Sequence, residues 1–100
     1  MATDIFQKLE LYFGVNLSNA QEVLAGLDAK TKGLVSPRVV RSIVYLSKGD
    51  LESLERLAKL SLVDCRDVLW QAEYDGGEDQ LRDFNKTFHE LGLLKSKSKR

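Results

Sequence analysis

The chain has one cysteine, Cys65, and one histidine, His89. These are the residue types of a thiol–imidazole nucleophile, which needs the two in contact and a third group to orient the ring. Cys65 directly follows Asp64, which reads as a helix cap, and a helix N-terminus lowers the pKa of a thiol. No residue pattern supplies the orienting group, so the pair reads as a small packing thiol and a surface imidazole. A structural zinc site takes about four Cys or His ligands, and the sequence offers two such residues. Asp75, Glu78 and Asp79 flank Gly76 and Gly77 with oxygens that would suit calcium. They lack the alternating ligand spacing of a helix–loop–helix calcium site and read as a solvated turn. No glycine-rich phosphate loop with its lysine occurs, and no pair of carboxylates is singled out for acid–base work. The expectation is a protein that is not an enzyme and carries neither cofactor nor metal.

What stands out is a stripe. Arg38, Arg41, Tyr45 and Lys48 are offset by 0, 3, 7 and 10 residues, which places them on one face of a helix. Such a face suits an acidic protein surface or a phosphate backbone, and these four residues are the candidate partner-binding face. The charge around them is uneven. Ala29 to Gly49 holds five basic residues and no acidic one, whereas Asp64 to Asp83 holds seven acidic residues against Arg66 and Arg82. The stripe can therefore serve a partner, or pair internally with the acidic segment. The overall balance is 15 basic to 15 acidic, but Lys95, Lys97, Lys99 and Arg100 lie in the tail, and without them 11 face 15, a net of −4. An acidic body disfavours nucleic acid as the partner.

A second signal is Leu57-Ala58-Lys59-Leu60-Ser61-Leu62-Val63-Asp64-Cys65-Arg66-Asp67-Val68. Its Leu-Ala start, the apolar Val63 in the turn and Val68 in the second helix resemble the helix-turn-helix motif. The resemblance covers about twenty residues and implies DNA reading by the second helix. It departs at Leu62, where the motif usually has glycine, and at Gln71, where it usually has an apolar residue. The reading helix would also carry Asp64, Asp67, Glu73 and Asp75, which repel phosphate.

The elements that must position these groups read as helices. Ile5, Phe6, Leu9, Tyr12 and Phe13 share a face over Thr3 to Phe13, with Thr3 or Asp4 as cap and Gly14 as stop. Ser18 to Gln21 reads as a capping box for a helix bearing Ala20, Val23, Leu24 and Leu27. Ala29 to Val35 reads as the longest loop. Ser36-Pro37 starts a central helix, since proline is favoured at the first helical position. Val39, Val40, Ile43 and Val44 are its buried side, and Gly49 ends it. Asp50 caps a helix with Leu51, Leu54, Leu57 and Ala58 inside. Asp64 caps another with Val68, Leu69 and Ala72 inside. Leu81, Phe84, Phe88 and Leu91, spaced 3, 4 and 3, predict a last amphipathic helix from about Glu78.

The sequence thus predicts an all-α, compact single-domain bundle of five or six short helices over 1–94, with a disordered basic tail at 95–100. A hundred residues can bury one core without metal or disulfide staples. One cysteine makes no internal disulfide, no apolar run is long enough to span a membrane, and Met1 to Asp4 lacks the basic-then-apolar order of a signal peptide. The expected location is cytoplasmic. The expected function is a non-catalytic protein-interaction module, with another protein or itself as partner. The alternative is a nucleic-acid-binding protein using the helix-turn-helix-like unit at 54–74 or the basic face of the 37–48 helix.

Overall fold

The computed structural model describes residues 2–94. The basic tail read at 95–100 lies outside the described residues. Among the described residues there are four α-helices and no strand: α1 (Thr3–Phe13), α2 (Leu17–Lys30), α3 (Pro37–Ser47) and α4 (Leu51–Tyr74). A 3-10 turn, Gly14–Asn16, links α1 to α2. The all-α class stands, and the count of five or six helices does not.

Two departures account for the difference. The helices expected after Asp50 and after Asp64 are both present, but they abut with no loop between them and count as the single element α4, kinked at Asp64, where φ is −154° and ψ 90°. Asp64 does act locally as a cap, accepting the Arg66 amide at 3.1 Å, yet the helix resumes at once. The last helix does not form. Residues 75–94 are an irregular strap of turns and extended chain. Its amides are claimed elsewhere: those of Leu81 and Arg82 donate to the Glu73 carbonyl, that of Phe84 to the Glu73 carboxylate, and that of Phe88 to Asp4. A helix needs those donors for its own ladder.

The local signals fare according to how local they are. Ser36 caps α3 by accepting the Val39 amide at 3.2 Å, with Pro37 first in the helix. Asp50 caps α4 by accepting the Ser53 amide at 3.0 Å. Gly14, at φ 48°, ends α1. The capping box at Ser18 is absent, because the 3-10 turn already delivers the chain in a near-helical conformation and Leu17, not Ser18, opens α2. Neither Thr3 nor Asp4 caps α1. Ala2 holds the cap position and Asp4 faces α3. The loop between α2 and α3 is shorter than expected, since α2 runs through Lys30.

The core is made by Ile5, Leu9 and Phe13 of α1, Leu24 and Leu27 of α2, Val39, Ile43 and Val44 of α3, and Leu54, Leu57, Val68 and Ala72 of α4. Phe84 and Phe88 of the strap complete it, both fully buried. Each buried phenylalanine contributes roughly 1.5–3 kcal/mol, so the strap is part of the core. Leu81, expected inside, is exposed, and Leu91 is half-buried. Ser42 and Ser47 are buried on α3, their hydroxyls donating to the Arg38 and Val44 carbonyls. The turn after α3 is left-handed at Lys48 and Gly49, and it packs so closely on the end of α1 that a Cβ on Gly49 would lie 2.7 Å from the Tyr12 carbonyl oxygen. Only glycine fits there.

Candidate functional site

The four stripe residues lie on α3, as their spacing predicts, but the face is turned towards the strap. Arg41 is buried. Its Nε and Nη2 reach the two Asp4 oxygens at 2.9 and 3.2 Å, and Nη1 donates to the Phe84 carbonyl at 3.1 Å. Arg38, with a third of its side chain exposed, grips the fully buried Glu73 carboxylate at 2.9 and 2.6 Å. Tyr45 stacks at a tilt on Phe84, 5.3 Å between centroids, with Arg82 and Lys48 over its ring at 4.8 and 4.6 Å. Lys48 alone of the four is exposed. Two members of the candidate face, Arg38 and Arg41, are thus held by internal carboxylates. One internal pairing joins the stripe to the acidic segment, Arg38 to Glu73. The other, Arg41 to Asp4, reaches the first helix.

The two carboxylates do the same job. Asp4 accepts the Phe88 amide at 2.9 Å and Glu73 accepts the Phe84 amide at 2.8 Å. Each is fixed by a two-bond arginine from α3, the geometry that holds a carboxylate most firmly. Burial alone would raise the pKa of Asp4. The Arg41 hydrogen bonds, the Phe88 amide and the Arg41 charge outweigh it and hold the carboxyl below its usual value. Glu73 is likewise pushed up by burial and brought below its usual value by Arg38, the Phe84 amide and Gln80. Both are ionised at neutral pH, and every buried side-chain nitrogen and oxygen among the described residues has a partner.

Asp4, Glu73 and Lys8 are the residues the sequence reading missed. In sequence Asp4 has the place of a helix cap, and Glu73 is one of several acidic residues on the helix-turn-helix-like stretch. Their partners lie 37 and 35 residues away, beyond any periodicity. Lys8 is buried on the core side of α1, where its register with Asp4 and Leu9 was the available signal. Its Nζ donates to the Leu93 carbonyl at 2.6 Å and sits 4.2 Å from the Tyr12 ring centroid. Among the described residues no carboxylate lies within 4 Å of it. Burial, with the neighbouring Lys48 charge, lowers its pKa.

Cys65 and His89 are not brought together. His89 meets Gln7 of α1 at 3.0 Å, while exposed Cys65 lines a groove with Leu34, Val35 and Val39 beside the bend of α4. Asp75 pairs with Arg82 at 2.8 Å. Among the described residues no three His, Cys, Asp or Glu side chains are grouped to hold a metal ion. The helix-turn-helix-like stretch passes through its would-be turn with one non-helical residue, Asp64. Among the described residues no helix is long and apolar enough to cross a membrane.

Compared with protein families, with curated proteins and with solved structures, the chain matches none.

Proposed function

We propose that the chain is a non-catalytic protein-interaction module of the cytoplasm, and that it meets its partner at the bend of α4. The observation that carries this reading is the apolar exposure there. Val63 is 85% exposed and Leu34 84%, with Leu62 beside them at 42%. Leu62 borders a groove between α2 and α4 lined by Val23, Leu27 and Ala58, and Leu34 borders the groove that reaches Cys65. Large apolar side chains gathered at one bend are what a protein-binding surface presents to solvent. The groove rims carry both signs of charge, Glu22 and Glu55 with Lys30 and Lys59, which suits a polar rim around an apolar centre and gives phosphate little to hold.

The test is chemical crosslinking with mass spectrometry in cell extract, comparing the wild-type chain with Leu34→Asp plus Val63→Asp. A crosslinked partner that maps to residues around the bend and disappears in the variant is the expected result. A partner retained by the variant, or none crosslinked to the wild-type chain, overturns the reading.

A further inference from the structure

The strap side of the molecule has the construction of a peptide-binding groove with a peptide already in it. Residues 81–94 hold no helix. They are gripped through their backbone: the Phe84 and Phe88 amides by Glu73 and Asp4, the Phe84 carbonyl by Arg41, the Leu93 carbonyl by Lys8. Two aromatic anchors, four residues apart, fill the core below, with ring centroids 5.9 Å from each other. The residues between them face outwards, with Asn85 and Lys86 exposed and Thr87 half-buried. Each gripping carboxylate is held by an arginine of α3, Asp4 by Arg41 and Glu73 by Arg38, with Gln80 ahead of the gripped segment adding one bond to Glu73. Preorganised backbone acceptors and deep aromatic pockets are the features by which a groove binds an extended segment.

One contact is poorly matched to the present occupant. Lys8 is a buried ammonium, yet what it meets at 2.6 Å is a neutral carbonyl, that of Leu93. A second cation, Lys48, is near enough to disfavour its charge further. A buried cation is better satisfied by an anion, and a charged partner makes the stronger hydrogen bond. If a segment ended at the residue in position 93, that carbonyl would be a terminal carboxylate, with no change in the path of the chain.

We propose that this groove is a receptor for the C-terminal end of another protein, a segment with two aromatic residues four apart and its free carboxylate five residues beyond the second. The chain's own residues 81–94 occupy the groove in cis and are displaced when such a segment arrives. The strap is tethered through Asp75, Gly76 and Gly77, so its local concentration is in the millimolar range. A partner must therefore gain contacts that the strap lacks, and the carboxylate on Lys8 is that gain. This site is separate from the face at the bend of α4, and either can stand without the other.

The experiment uses the full chain carrying Phe84→Ala and Phe88→Ala, which vacates the groove. The probes are fluorescent peptides of residues 78–93, one with a free C-terminal carboxylate and one amidated. Saturable binding of the acid is expected, about tenfold tighter than the amide, with the difference erased by adding Lys8→Gln. The wild-type chain should bind the acid at least about 100-fold more weakly than the vacated one, because the strap competes in cis. If the vacated chain is unfolded alone, the acid peptide should restore its helical circular dichroism at the same concentrations. No binding and no refolding up to millimolar peptide would overturn the proposal, as would equal binding of acid and amide.

Discussion

The strap side and the bend of α4 solve opposite problems with the same helices. On the strap side, α3 directs two arginines at two buried carboxylates, and those carboxylates hold the amides of Phe84 and Phe88. Charge there is sequestered, and every buried side-chain nitrogen and oxygen among the described residues has a hydrogen-bond partner. At the bend, α4 turns at Asp64 and leaves Leu62 and Val63 to solvent, with Leu34 of the α2–α3 loop lining the groove beside it. Apolar surface there is left uncovered. The comparison teaches that charge pattern and surface are separate matters in a small domain. The most basic helix contributes least charge to the outside, and the stretch that resembled a DNA-reading motif presents apolar side chains.

The largest effect should come from breaking the deeper ion pair. Arg41→Ala strands the Asp4 carboxylate in the core, and loss of one partner of a buried pair costs about 3–5 kcal/mol. Urea unfolding at neutral pH measures it. A loss below about 1 kcal/mol would mean that the strap side is not organised by this pair.

Acid should attack the same side next. Asp4 and Glu73 bind protons less readily folded than at their ordinary values of 3.8 and 4.5. Depressed folded values mean that their contribution is complete above about pH 5 and is lost as pH falls through the folded values. The urea midpoint should hold from pH 7 to about 5 and then decline, and Arg41→Ala should flatten that decline. A midpoint that falls between pH 7 and 5 would point to other groups.

Arg38→Ala should cost less than Arg41→Ala, about 2 kcal/mol. Arg38 is a third exposed, and Glu73 keeps the Phe84 amide and Gln80 after it is gone. Equal losses at the two arginines would erase the ranking by depth. The smallest effect belongs to the bend. Val63→Asp should change stability by no more than about 0.5 kcal/mol in thermal denaturation, since Val63 is nearly as exposed as in an unfolded chain. A substantial loss would show that the bend is structural.

The sequence disclosed those features whose cause lies within a turn or two. The Ser36-Pro37 start, the Asp50 cap and the apolar registers of α1 and α3 depend on neighbours, and they are found where the pattern puts them. The spacing of Phe84 and Phe88 correctly marked buried side chains, but the same spacing implied a helix that the chain does not make. Its amides answer to Asp4 and Glu73, and Asp4 lies 84 residues from Phe88. Arg38 and Arg41 were legible as sharing a face with Tyr45, and the burial of Arg41 was not legible. An arginine stripe looks alike in sequence whether its carboxylates come from a partner or from the far end of its own chain.

Native-state hydrogen exchange on the full wild-type chain bears most directly on the central claim, that the strap is an occupant of a groove formed by the helices. The amides of Phe84 and Phe88 should exchange through an opening that leaves α3 intact, with protection clearly below that of Ile43 and Val44. Exchange of all four at one common free energy, equal to that of global unfolding, would contradict the account and make the strap an inseparable part of the core.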